Sequence, residues 1–157
     1  MQIERALALG TVALLFAPGV FAQAKPDFSG SWMYDHTLVS GKKVDSDSDP
    51  LLQIVFEEFV GDASISIAGQ KMTVYRHRSK ETIVFMLNGT PSQRYIGDAA
   101  VTYTSNWEGT TLVTRAESRD IGTWTEKRWI GADGSMVEET TYPFGFSSHT
   151  TFVYKRK

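Results

Sequence analysis

From residue 60 onward, apolar side chains recur at every second position in short runs separated by glycine-containing turn signals, the pattern of half-buried β-strands. Ile65 and Ile67 alternate with serines, Gly69-Gln70 turns the chain, and Met72 and Val74 resume the alternation, so residues 64–77 read as one hairpin. Thr82 to Leu87 is a further strand, ended by Asn88-Gly89, a pair suited to two positive φ angles. Ala100 to Trp107, Thr111 to Ser118, Thr123 to Ile130, Met136 to Tyr142 and His149 to Lys155 complete the set. Glu108-Gly109 and Asp133-Gly134 make short connections, and Tyr142-Pro143-Phe144-Gly145-Phe146 a longer, irregular one.

A helical period occurs once. Asp49 can cap, Pro50 occupies the first helical position, and Leu51, Leu52, Val55, Phe56, Phe59 and Val60 gather on one side before Gly61 ends the element. A short helix over residues 50–60, after the first strand, is therefore expected, preceded by a polar surface loop from Ser40 to Asp49.

About eight to ten short antiparallel strands in one domain leave a sandwich or a closed up-and-down barrel. Hairpin-length links favour the barrel, because a meander can curl until its first strand meets its last. The strand faces agree: Trp124, Glu126, Arg128 and Ile130 share one side and Thr123, Thr125, Lys127 and Trp129 the other. Neither side is purely apolar, and a barrel lumen tolerates that mixture better than a dry sandwich core.

Met1 to Ala24 has the pattern of a secretory signal: Arg5 near the start, an apolar run from Ala6 to Ala17, and small residues at Ala22-Gln23-Ala24. The run is shorter than the roughly 20 residues that cross a bilayer. Cleavage near Ala24 is expected to leave a single domain over residues 25–157, secreted or periplasmic and not inserted in a membrane. Sixteen Lys and Arg against eighteen Asp and Glu give a net charge of −2, with no basic footprint for nucleic acid. Zero cysteines exclude a disulfide framework, a thiolate metal site and a cysteine nucleophile.

The mature chain opens Asp27-Phe28-Ser29-Gly30-Ser31-Trp32, closes Thr151-Phe152-Val153-Tyr154-Lys155, and carries a Trp107-Glu108-Gly109 turn. With Gly30-x-Trp32 as its sharpest motif, it resembles the calycin superfamily, the lipocalins and fatty-acid-binding proteins, and secreted bacterial lipocalin-like proteins. The resemblance implies that Gly30 bends the first strand where the barrel closes, that Trp32 plugs the narrow end, and that Arg156 lies across Trp32 as a cation–π cap, with Lys155 the second candidate. Fatty-acid-binding proteins carry an arginine, any residue, tyrosine triplet near the end that holds a carboxylate. Here Phe152-Val153-Tyr154 keeps the tyrosine and lacks the arginine. The helix after the first strand matches the position of their helical lid.

Chemical motifs are few. His36, His77 and His149 fall on separate segments, and Asp45, Asp47 and Asp49 are followed by Pro50 where a calcium loop turns on glycine, so no metal and no cofactor is expected. No serine sits in a nucleophile elbow, and Glu138-Glu139 on a strand points to opposite faces, so no catalytic residue is assigned. Arg76 shares the face of Met72 and Val74; for Arg76, Arg115 and Arg128 a solvated position is the default, and an inward one demands an internal acid, water or an anionic ligand.

The expected role is binding of a small apolar or amphipathic molecule in the lumen, lined by Tyr34, Met72, Val74, Arg76, Trp107 and Tyr154. The alternative is an interaction or inhibitor protein acting through Tyr142 to Phe146 on a periplasmic partner, and a third reading is a barrel isomerase or cyclase.

Overall fold

The structure is a computed structural model and describes residues 24–44, 59–141 and 149–157. The described chain forms β1 (Gly30–Val39), β2 (Lys42–Val44), β3 (Ala63–Ala68), β4 (Lys71–Arg76), β5 (Glu81–Met86), β6 (Ser92–Ile96), β7 (Ala99–Glu108), β8 (Thr111–Ser118), β9 (Gly122–Ile130), β10 (Met136–Thr141) and β11 (Thr150–Arg156). Hydrogen-bonded neighbours run β5-β4-β3-β1-β11-β10-β9-β8-β7-β6, with β2 paired to β1. The first long strand thus lies beside the last, Trp32 opposite Arg156 and Tyr34 opposite Tyr154, and the meander closes into a nearly complete antiparallel barrel.

The remaining seam is between β5 and β6, which share no ladder. Side chains stitch it: the Ser92 hydroxyl donates to the Val84 carbonyl at 2.7 Å, and Arg94 pairs with Glu81 at 3.3 Å.

Two strands depart from the sequence pattern. Lys42–Val44, expected as loop, folds back on β1 through a two-residue turn at Ser40 and Gly41, both with positive φ. It pairs there because β3 reaches only Gly30–Trp32 and leaves the far end of β1 open. β6 is likewise too polar to stand out, yet pairs along its length with β7. Asn88-Gly89 consequently links two unpaired strands, and only Gly89 takes a positive φ. The helix expected over residues 50–60 lies outside the described residues except for Phe59 and Val60, which form a buried bend.

A register shift between Tyr34 and His36 sets which side chains of β1 face inward. Strict alternation from Trp32 would aim His36 into the barrel; the bulge buries Thr37 instead. Below it, the narrow end is plugged. The Trp32 indole N–H donates to the Phe28 carbonyl at 2.8 Å, Phe28 stacks on Trp107, and the Arg156 guanidinium lies 4.5 Å from the Trp32 ring centroid. Arg156 also donates to the Ser29 carbonyl at 2.9 Å, tying the last strand to the segment before the first.

Gly30 is required twice over at this point. Its φ is +125°, and a Cβ there would lie 3.0 Å from Arg156 Nη1. Gly30→Ala should lower stability by about 1–3 kcal/mol, read as an earlier urea midpoint; an unchanged midpoint would show that the closure tolerates a side chain.

Candidate functional site

Inward-facing residues of neighbouring strands line up in rungs. One rung runs from Leu112 on β8 through Arg128 on β9, Glu138 on β10 and Phe152 on β11 to Thr37 on β1. The next rung, toward the opposite end from the plug, is Ser105, Thr114, Glu126, Thr140 and Thr150 on β7 to β11. Both arise from strict alternation on strands whose inward positions carry polar residues, and all ten residues are buried.

Charge concentrates around Glu138. Its Oε1 accepts Arg128 Nε at 2.5 Å, with Arg128 Nη2 also in contact, and its Oε2 accepts Arg76 Nη2 at 2.7 Å. Arg76 lies on β4, so this pair spans the lumen. Arg76 Nη1 donates to the Tyr154 hydroxyl at 3.1 Å, and that hydroxyl donates to the Phe59 carbonyl at 2.5 Å. Arg128 Nη1 also reaches Met72 Sδ at 3.6 Å. Aromatic faces complete the coordination: the Arg76 guanidinium sits 5.3 Å from the Phe59 ring centroid, and that of Arg128 5.3 Å from Phe85.

Burial pushes the Glu138 carboxyl up, but the charges and hydrogen bonds of Arg128 and Arg76 outweigh it and hold the group down to about 2. Burial holds the Tyr154 hydroxyl well above its ordinary value, so it remains a neutral donor.

Arg76 and Arg128 therefore occupy the inward position that was not the default, and the internal acid that such a position demands is Glu138; Arg115 is exposed and pairs with Glu117. Of the six expected lining residues, Arg76 and Tyr154 meet directly, Tyr34 stands edge-on to Tyr154 at 6.1 Å, and Met72 joins through Arg128. Val74 is buried in the same wall. Trp107 is elsewhere: it stacks on Phe28 at the plugged end and lines a groove of about 240 Å³ with Lys25, Pro26, Ile67 and Leu87.

Arg128, Glu138, Glu126 and Phe59 are the residues that sequence reasoning did not assign to the site. The available signal was the inward-facing polar alternation of Glu126 and Arg128 beside Trp124. The histidines stay apart, His36 on Asp35, His77 on Ser64 and His149 on Thr141. Among the described residues no group of three metal-ligating side chains occurs. Asp45, Asp47 and Asp49 lie outside them.

No protein-family model and no curated protein sequence matches the chain. Solved structures do. The chain is similar to the REP1-NXSQ fatty acid transporter with a TM-score of 0.61 and 15% identity, over 82% of this chain and 95% of that one. A variant of the fluorescent protein UnaG superposes with a TM-score of 0.59 and 20% identity, over 83% of this chain and 96% of that one. The shared property is the antiparallel β-barrel fold.

Removing the acid isolates its effect. Glu138→Ala leaves two guanidinium groups buried without it and should cost about 3–5 kcal/mol in urea denaturation. Because folding depresses the Glu138 pKa from 4.5 to about 2, its stabilisation is present above pH 4.5 and is lost as pH falls toward about 2. The wild-type protein should lose stability with acid more steeply than the variant, which keeps only the part contributed by the depressed carboxyls of Asp27, Asp62 and Asp133; identical pH profiles would contradict the assignment.

Proposed function

We propose that this protein is an exported carrier that holds a small, largely apolar molecule in the barrel lumen, with the Arg76, Glu138, Arg128 and Tyr154 cluster orienting the polar end. The observation that carries this reading is the cluster itself. A buried ion triad is at best a neutral contributor to stability compared with well-packed apolar residues, so its presence mid-barrel favours a role in recognition. The fold likeness to a fatty acid transporter supports the same reading. Export is supported by the signal-like pattern over residues 1–24, with a mature chain starting near Lys25.

Loading needs one rearrangement. Phe59 stacks on Phe152 at 4.9 Å, and the gap between Phe59, Leu112, Thr114, Glu126 and Glu138 is too narrow for a water molecule. A ligand entering there displaces the Phe59 ring and replaces its stacking on Phe152, while the Phe59 backbone carbonyl can keep accepting the Tyr154 hydroxyl.

The narrowness of the gap beside Phe59 favours a second reading, an interaction or inhibitor protein whose contact is the Tyr142 to Phe146 segment, outside the described residues.

Titration with Nile red, a neutral apolar fluorophore, separates the two. The carrier reading expects saturable binding by the wild-type protein and about tenfold tighter binding by Phe59→Ala, which removes the competing ring. Native mass spectrometry of the protein from its own source should show a small-molecule adduct. No binding by either form, together with no adduct, would leave the interaction reading.

A further inference from the structure

Resting on the carrier reading, we propose that the lumen selects an uncharged molecule bearing hydroxyl or amide hydrogens along one edge, and discriminates against a carboxylate. The first ground is charge. Among the described residues the buried inward-facing cations are Arg76 and Arg128, and two buried carboxyl groups share the interior with them, Glu138 in contact with both arginines and Glu126 accepting from the Trp124 indole. Glu138 already offers one oxygen to each guanidinium. A carboxylate approaching either arginine meets that ionised acid at close range, where low dielectric strengthens the repulsion.

The second ground is the hydroxyl rung. Ser105, Thr114, Glu126, Thr140 and Thr150 follow one another in register across five adjacent strands, a strip on the order of 20 Å long at ordinary strand spacing. Ser105 and Thr114 hydroxyls share a hydrogen bond at 2.8 Å, and Glu126 accepts the Trp124 indole N–H at 2.9 Å. Thr140 differs. Its side chain is 1% exposed, and its hydroxyl has no hydrogen-bond partner among the described residues. The orphan hydroxyl can donate as well as accept; a carboxylate could take its hydrogen but brings none for the hydroxyl lone pairs or the neighbouring Glu126 carboxyl, whereas a ligand hydroxyl or amide supplies both a donor and an acceptor.

The third ground is the facing wall. Buried inward positions on β3, β4 and β5 other than Arg76 are apolar, including Ile65, Met72, Val74, Ile83 and Phe85. A molecule with one apolar side and one hydrogen-bonding edge is the complement of that pairing.

A pyrene-labelled long-chain alcohol, its primary amide and its carboxylic acid provide a matched set, titrated by fluorescence at neutral pH. The alcohol and amide should bind at least about tenfold more tightly than the acid. Thr140→Val, which keeps the shape and removes the orphan hydroxyl, should weaken alcohol and amide binding about threefold or more while leaving the urea midpoint unchanged or raised. Glu138→Gln should narrow or reverse the preference toward the acid. Equal or tighter binding of the acid by the wild-type protein overturns the selectivity and leaves the carrier reading standing. Failure of all three ligands to bind overturns both.

Discussion

A carboxylate taken out of water survives in a protein interior only when opposite charge and hydrogen bonds replace its hydration. Glu138 satisfies that condition by drawing in two guanidinium groups from different walls of the barrel. Arg128 comes from the adjacent strand, ten residues away along the chain, and Arg76 crosses the lumen from 62 residues away. The triad therefore holds the β3 to β5 wall at a defined distance from the β9 to β10 wall. Tyr154 and the Phe59 carbonyl finish its hydrogen bonding, which places an aromatic ring over the charged layer. Much of the character of the interior at mid-height, its paired charges and the aromatic faces packed on them, follows from that one requirement.

The plugged end obeys a different logic. There the cation, Arg156, is at the surface and lies flat on a fully buried indole, while carbonyls of Asp27 and Ser29 accept its N–H groups. Closure of the barrel and the buried charge cluster within it thus involve separate residues, one set at the β1 to β11 junction and the other a few rungs away. The open seam between β5 and β6 is the converse case. Edges without a ladder invite pairing with another chain, and here polar side chains and a charge pair occupy them.

How far the sequence revealed this depends on where each contact lies. The strands β3 to β5 and β7 to β11 were legible because a period of two and glycine-bearing turns are local properties. β2 and β6 were not, because nothing in Lys42-Lys43-Val44 or Ser92-Gln93-Arg94-Tyr95-Ile96 prefers a strand; each is one because a neighbouring edge is unfilled. Within the site, Arg76, Met72 and Tyr154 could be placed by their face. Glu138 could only be compared with its neighbour Glu139, whereas its partners lie on other strands. Trp107 has the right face and the wrong height, a coordinate that alternation does not carry.

The placing of Gly30, Trp32 and Arg156 at the barrel closure was what a family resemblance implied; by itself, the order of residues determined the all-β class and the meander of hairpins. Those features need only φ preferences, side-chain size and a two-residue period. Tertiary structure decided which arginines face inward, which acid pairs with both, and that Phe59 lies over Arg76. A one-residue bulge in β1 changes which side chains reach the interior, and a salt bridge across a lumen joins positions whose proximity exists only after the barrel has closed.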